Sequence, residues 1–212
     1  MRFDDRRHAG QLLGAEVAAL LPDDPVVYAL PRGGVPVAFE VARALVCPLD
    51  VLVVRKIGVP FQPELAMGAI AEGDVVVRNE DVIEIARIEE DDFAAVVRSE
   101  RRELEDRAAS YRAEADPISA HGHTAVVVDD GLATGSTALA AVRVLREKGA
   151  KSVWLAVPVA PRSPLEELEA LADRIVVLHR PWGFGAVGVW YDDFAQTSDD
   201  QVRDLLRESR LA

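Results

Sequence analysis

Thr124-Ala125-Val126-Val127-Val128-Asp129-Asp130-Gly131-Leu132-Ala133-Thr134-Gly135-Ser136-Thr137 decides how this chain is read. Its first five residues form a short apolar run that predicts a buried strand. Two carboxylates close the run, a loop of small residues follows, and hydroxyl residues open a helix from about Ser136 to Lys148. In an open α/β sheet, ligands bind at the carboxyl ends of the strands. A helix N-terminus with hydroxyls and backbone N–H groups attracts anions. The loop therefore suits a phosphate, while Asp129 and Asp130 suit sugar hydroxyls or a metal ion. The plainer alternative for Asp129-Asp130 alone is a solvated turn with a helix cap. The stretch is not a Walker A loop, since its spacing differs and no lysine follows Gly135.

On both sides of this stretch, strands and helices alternate. Ala9, Leu12, Leu13, Val17, Leu20 and Leu21 recur at helical spacing between Asp5 and Leu21. Val26–Leu30 and Leu49–Val54 read as buried strands, with Pro31-Arg32-Gly33-Gly34 and a helix from Val35 to Leu45 between them. Ser152–Val157 and Arg174–Leu178 complete a set of five core strands. Ser163-Pro164-Leu165-Glu166 and Ser198-Asp199-Asp200-Gln201 have the pattern of helix-opening capping boxes. Continuous apolar strands separated by helices predict an α/β fold, a parallel sheet with helices on both faces.

Two stretches interrupt the alternation. Residues 55–115 hold a Gly/Pro-rich piece and then a charged helix from about Glu89 to Ala115. Phe93, Val97, Leu104, Ala108 and Tyr111 form an apolar stripe on that helix, suited to packing at home, to a homodimer contact or to a lid. Residues 180–194 gather Trp182, Phe184, Trp190 and Tyr191 among glycines. The expected layout is one domain over 1–212, with 55–115 as an inserted lid and 180–194 as an aromatic hood.

The composition narrows the function. With 212 residues, half of them hydrophobic, the chain can bury a substantial core. A net charge of −12 opposes general nucleic-acid binding. Cys47 is the only cysteine, so no intrachain disulfide and no multi-thiolate zinc site can form. His121 and His123 lack ligand-spaced partners, and no Gly-x-Ser-x-Gly elbow is present. No apolar stretch approaches the about 20 residues needed to span a bilayer. No signal-like run follows Met1–Arg7, so a cytoplasmic protein without membrane contact is expected.

The 124–137 stretch resembles the signature of the type I phosphoribosyltransferases: a hydrophobic strand, two acidic residues, and a small-residue loop ending in Thr-Gly. Pro31-Arg32-Gly33-Gly34 lies where that family places its pyrophosphate loop, which often contains a non-proline cis peptide. Arg55-Lys56 resembles the family's basic pair. Residues 54–69 are similar to a bacterial branch of phosphoribosyltransferases with no agreed acceptor. The resemblance implies that Asp129 and Asp130 bind the ribose of phosphoribosyl pyrophosphate (PRPP). Gly131, Ala133, Thr134, Gly135, Ser136 and Thr137 would hold its 5-phosphate, and Arg32, Gly33 and Gly34 its pyrophosphate.

The implied reaction displaces pyrophosphate by a base nitrogen, with Asp129, Asp130, Lys56 and Arg55 as the catalytic set. Mg²⁺ is the implied cofactor, met by Asp129 and Asp130 directly or through water. PRPP and a small-molecule acceptor are the implied partners. Trp182, Phe184, Trp190 and Tyr191 could stack on a planar base. The hypoxanthine-guanine branch has an Asp where this chain has Ala133, so that branch's proton transfer is not carried over. Glu64 is a candidate base. A non-catalytic sensor of PRPP or nucleotides is the alternative use of the same pocket.

Overall fold

The computed structural model describes residues 1–73, 75–112, 115–162 and 166–211; the side chains of Glu64, Glu166 and Glu167 lie outside it. The expected capping box at 163–166 therefore lies largely outside the described residues. All five expected core strands are present: β1 (Pro25–Ala29), β2 (Leu49–Val51), β6 (Thr124–Val128), β7 (Ser152–Val159) and β8 (Arg174–His179). They form one parallel sheet in the order β2-β1-β6-β7-β8.

Residue parity explains why these strands are apolar throughout. Val27, Ala29, Val126 and Val128 face α1 (Arg6–Ala19) and α2 (Gly34–Leu45), where Leu13, Val17, Val37 and Val41 meet them. Val26, Tyr28, Ala125 and Val127 face the other way, toward α5 (Ser136–Glu147), where Ala138, Ala141, Val142 and Leu145 close the layer. Both faces are covered, so alternation between apolar and polar residues disappears. Each such Val or Leu contributes about 1.5–3 kcal/mol on full burial.

The stretch between β2 and β6 corrects the sequence reading. The Gly/Pro-rich piece forms a second, antiparallel sheet of β3 (Val54–Val59), β4 (Gln62–Ala71) and β5 (Val75–Arg78). Then come α3 (Glu80–Ala86) and α4 (Glu90–Arg112). Val54, Ala71, Val75 and Val77 pack in the layer that contains α5. Ile57, Val59, Met67 and Ile70 pack with Phe93, Val97 and Leu104 of α4. The apolar stripe of α4 is thus buried within its own chain. Register shifts on either side of Gly58 break the strand pattern at the Pro60–Pro63 turn, which is why it reads as loop.

A buried ionic knot ties this insertion to the parallel sheet. Arg112 of α4 donates to Asp50 of β2 at 2.7 Å and to the carbonyl of Val51 at 2.5 Å, and it also pairs with Glu72. Asp50 accepts in addition from the Ile118 N–H. At the other end of the chain, α6 (Glu166–Leu171) precedes β8, and α7 (Asp199–Ser209) opens with the expected reciprocal Ser198–Gln201 capping box.

Candidate active site

The sheet order places the two glycine-bearing motifs side by side. The chain leaves β1 toward β2 on one side and returns to β6 on the other. The crevice between the carboxyl ends of β1 and β6 is therefore the point where strand order reverses, the usual ligand position in such sheets. Ala29 and Val128 are register partners, so residues 30–34 and 129–135 emerge together. The Leu30 N–H donates to the Val128 carbonyl at 2.9 Å. Within the first loop the Pro31–Arg32 peptide is cis.

Gly33 shows how closely the loops approach. A Cβ at this position would lie 2.1 Å from Asp130 Oδ2, so only hydrogen fits. Asp129 Oδ1 accepts from the Asp130 N–H at 2.8 Å. Burial and repulsion from Asp130 push Asp129 well above the usual carboxylate range. Burial also raises Asp130, against the opposing pull of Arg6.

Beyond the acidic pair, the loop forms a small cradle of 160 Å³ lined by residues 131–138, with Asp129 and Val187. Gly135 is the N-cap of α5, in a left-handed conformation (φ +76°) that glycine adopts without a Cβ penalty. As a glycine, the N-cap offers no side chain to the helix. The Ser136 N–H has only a long contact, 3.4 Å, to Thr134 Oγ1, so this helix end can receive an anion. Thr134 and Ser136 hydroxyls lie 2.6 Å apart at the same rim.

The basic pair separates. Successive strand residues point to opposite faces. Arg55 turns toward α4 and is bound by Glu100 at 2.7 Å and Glu103 at 2.6 Å. Lys56 is exposed and has no ion-pair partner among the described residues. Arg32 leans toward α7, with Nη1 3.8 Å from Asp199 Oδ1.

The aromatic segment also divides. Tyr191 is buried, with its ring 5.4 Å from Phe3 and 5.0 Å from Phe194, and its hydroxyl donates to the Asp130 carbonyl at 2.6 Å. Trp190 sits edge-on to His179 and donates Nε1–H to the Phe184 carbonyl. Trp182 is 88% exposed, with the Arg162 guanidinium 4.0 Å over its ring. Val187 alone of this segment lines the phosphate-sized cradle.

Sequence reading missed Arg6. Its Nε–H donates to Asp130 Oδ2 at 2.8 Å and its Nη1–H to the Ala195 carbonyl at 2.7 Å. One signal was available. The first turn of α1 carries Arg6 and Arg7 and no acidic residue, although helix N-termini favour anions. Both arginines sit there because each meets a carboxylate of another element, Asp130 and Glu40.

Comparison with known proteins finds clear relatives. Residues 14–193 match the phosphoribosyl transferase domain model. A Mycobacterium tuberculosis protein, provisionally named a phosphoribosyl transferase, is 52% identical over 200 residues, or 94% of this chain. The chain spans only 45% of that relative's length. An adenine phosphoribosyltransferase of Mycobacterium avium is 39% identical over 85 residues, covering 40% of this chain and 43% of its own. The crystal structure of a Thermus thermophilus protein superimposes with a TM-score of 0.90 at 42% identity, covering 98% of this chain and 99% of its own.

Proposed function

The chain belongs to the phosphoribosyltransferase family, and we propose that it transfers the phosphoribosyl group of PRPP to a nitrogenous acceptor with release of pyrophosphate. The observation that carries this reading is the junction of β6 and α5. Two carboxylates lie directly beside a cradle of phosphate size that ends on the glycine N-cap of a helix. A ribose ring bearing a 5-phosphate is the ligand whose hydroxyls and anion are spaced to use both.

In this reading the Gly131–Thr137 loop anchors the 5-phosphate through backbone N–H groups and the Thr134 and Ser136 hydroxyls. Asp129 and Asp130 accept from the ribose hydroxyls and hold the anomeric carbon toward the Arg32-Gly33-Gly34 loop. The bond from that carbon to the pyrophosphate oxygen breaks, and a bond to the acceptor nitrogen forms. Negative charge grows on the leaving group, so preorganised positive potential lowers the barrier. Lys56 is the basic side chain available for this, because Arg55 is bound by α4. The turn between β3 and β4, at the end of the strand that carries Lys56, is the lid that excludes water. The 180–194 hood, whose Val187 lines the cradle, covers the acceptor.

The acidic pair also fits Mg²⁺. Among the described residues, Asp129 keeps one oxygen without a hydrogen bond, and the second oxygen of Asp130 makes none to another residue. Among the described residues no group of three or more His, Cys, Asp or Glu could cage a metal. That suits an ion that takes one or two carboxylates and completes its shell with substrate oxygens. When bound, Mg²⁺ supplies neutralisation of the pyrophosphate charge.

Calorimetry with PRPP and Mg²⁺, followed by a pyrophosphate-release screen over nitrogen heterocycles and amines, tests the proposal. Saturable PRPP binding, lost in Asp130→Ala, with release on one acceptor is the expected result. Undiminished binding by Asp130→Ala would overturn the site. Binding without transfer to any acceptor would favour the sensor, a reading that the missing carboxylate at Ala133 permits.

A further inference from the structure

We propose that Arg6 is the positioning residue of the acidic pair: it occupies one oxygen of Asp130 and thereby presents the other to a sugar hydroxyl. The proposal rests on reading the crevice as a ribose phosphate site, and it adds a residue from an element that carries none of the recognised motifs.

Three contacts fix the Arg6 guanidinium. Nε–H donates to Asp130 Oδ2 at 2.8 Å, Nη1–H donates to the Ala195 carbonyl at 2.7 Å, and the guanidinium carbon lies 3.8 Å over the Phe194 ring. The Arg6 and Asp130 side chains are only 11% and 15% exposed, so the pair is shielded from the screening that weakens surface ion pairs. A planar fork held at several points has one orientation, which a lysine cannot reproduce.

Asp130 is held from every side that matters. The Tyr191 hydroxyl grips its carbonyl at 2.6 Å, and Gly33 backs its Oδ2 with no room for a side chain. Rotation of the carboxylate would break the Arg6 bond or strike the 31–34 loop. The remaining oxygen therefore has a defined direction before any ligand arrives. A cation in the first turn of a helix is electrostatically misplaced with respect to its own helix. The compensation comes from Asp130, not from α1.

Arg6→Met and Arg6→Lys, with the wild type, separate this role from general support. Ribose 5-phosphate and inorganic phosphate are titrated by ligand-observed NMR, and folding is checked by thermal melting. Arg6→Met is expected to weaken ribose 5-phosphate about tenfold or more, while inorganic phosphate changes less than about twofold; a tenfold loss equals about 1.4 kcal/mol. Arg6→Lys, which keeps the charge without the fork, is expected to recover part of the loss. In an Asp130→Asn background, Arg6→Met should add little, since the two act as a unit. Wild-type affinity for ribose 5-phosphate in Arg6→Met would overturn the proposal alone. Equal loss of both ligands in Arg6→Met and Arg6→Lys would also overturn it, by showing a supporting role only. Failure of the wild type to bind ribose 5-phosphate would remove the underlying site reading and this proposal with it.

Discussion

Gly33 is the residue on which the site's geometry turns. Its φ of −61° and ψ of −33° suit any amino acid, so space and not backbone freedom demands glycine. Gly33→Ala must move the Asp130 carboxylate, which Arg6 holds at 2.8 Å. Overpacking of this kind costs about 1–3 kcal/mol. We expect Gly33→Ala to weaken ribose phosphate binding by roughly tenfold and to lower the melting temperature, as read by calorimetry and thermal melts. An unchanged affinity would mean that Asp130 is not the ribose ligand. At this scale the sequence located Asp129, Asp130 and the loop to Thr137 as one strand-loop-helix unit, because their placement is set by neighbours along the chain. Arg6 stayed hidden, and Tyr191 was read as a base-stacking ring instead of a donor to Asp130, because Asp130 lies 124 and 61 residues from them.

Among elements, β3 shows what alternation does to a basic pair. Lys56 and Arg55 lie on opposite faces, and only Arg55 is bound by α4. Lys56→Met is expected to reduce turnover at least tenfold with little change in melting temperature. Arg55→Met is expected to do the reverse, loosening α4 while sparing most turnover. Steady-state rates and melts on both variants decide the assignment. Asp173, between α6 and β8, makes a different junction. It accepts from Arg146 of α5 at 2.7 Å, from Ser152 Oγ at 3.0 Å and from the Val153 N–H at 2.7 Å. Burial works against its ionisation, yet these hydrogen bonds hold it below the usual carboxylate range. Its folded pKa lies below the unfolded value, so the stability it contributes is present above about pH 4 and is lost as pH falls through the folded value. Asp173→Asn should therefore melt below the wild type at pH 7, and the gap should close in acid. A gap independent of pH would show that the charge contributes nothing. The five parallel strands were legible because both faces are buried and each reads as an unbroken apolar run. The antiparallel sheet was not, since the four residues of β5 are only half-buried and the β3–β4 turn is broken by prolines and a shifted register.

Across the whole molecule, the insertion and the parallel sheet depend on one buried knot. Arg112 and Asp50 are 6% and 1% exposed at their side chains, and α4, β2 and the end of β4 meet there. Removing Asp50 leaves Arg112 with Glu72 as its remaining carboxylate and takes the acceptor from the Ile118 N–H, which costs about 1–3 kcal/mol. Asp50→Ala is accordingly expected to lower unfolding free energy by about that amount in urea titrations. A loss below about 1 kcal/mol would place the insertion's anchorage in the apolar contacts around α5 instead. Sequence reading gave Asp50 no role within the buried strand 49–54, because its partner lies 62 residues on, across the segment read as a lid.

Phe3 is fully buried and bridges to Tyr191, exchanging backbone hydrogen bonds with Trp190 and Asp192 at 2.8 Å. Tyr191, whose hydroxyl reaches the Asp130 carbonyl from one side, is thus braced by Phe3 from the other. Loosening the segment that carries Phe3 would accordingly be felt at Asp130, through a single tyrosine that links the two.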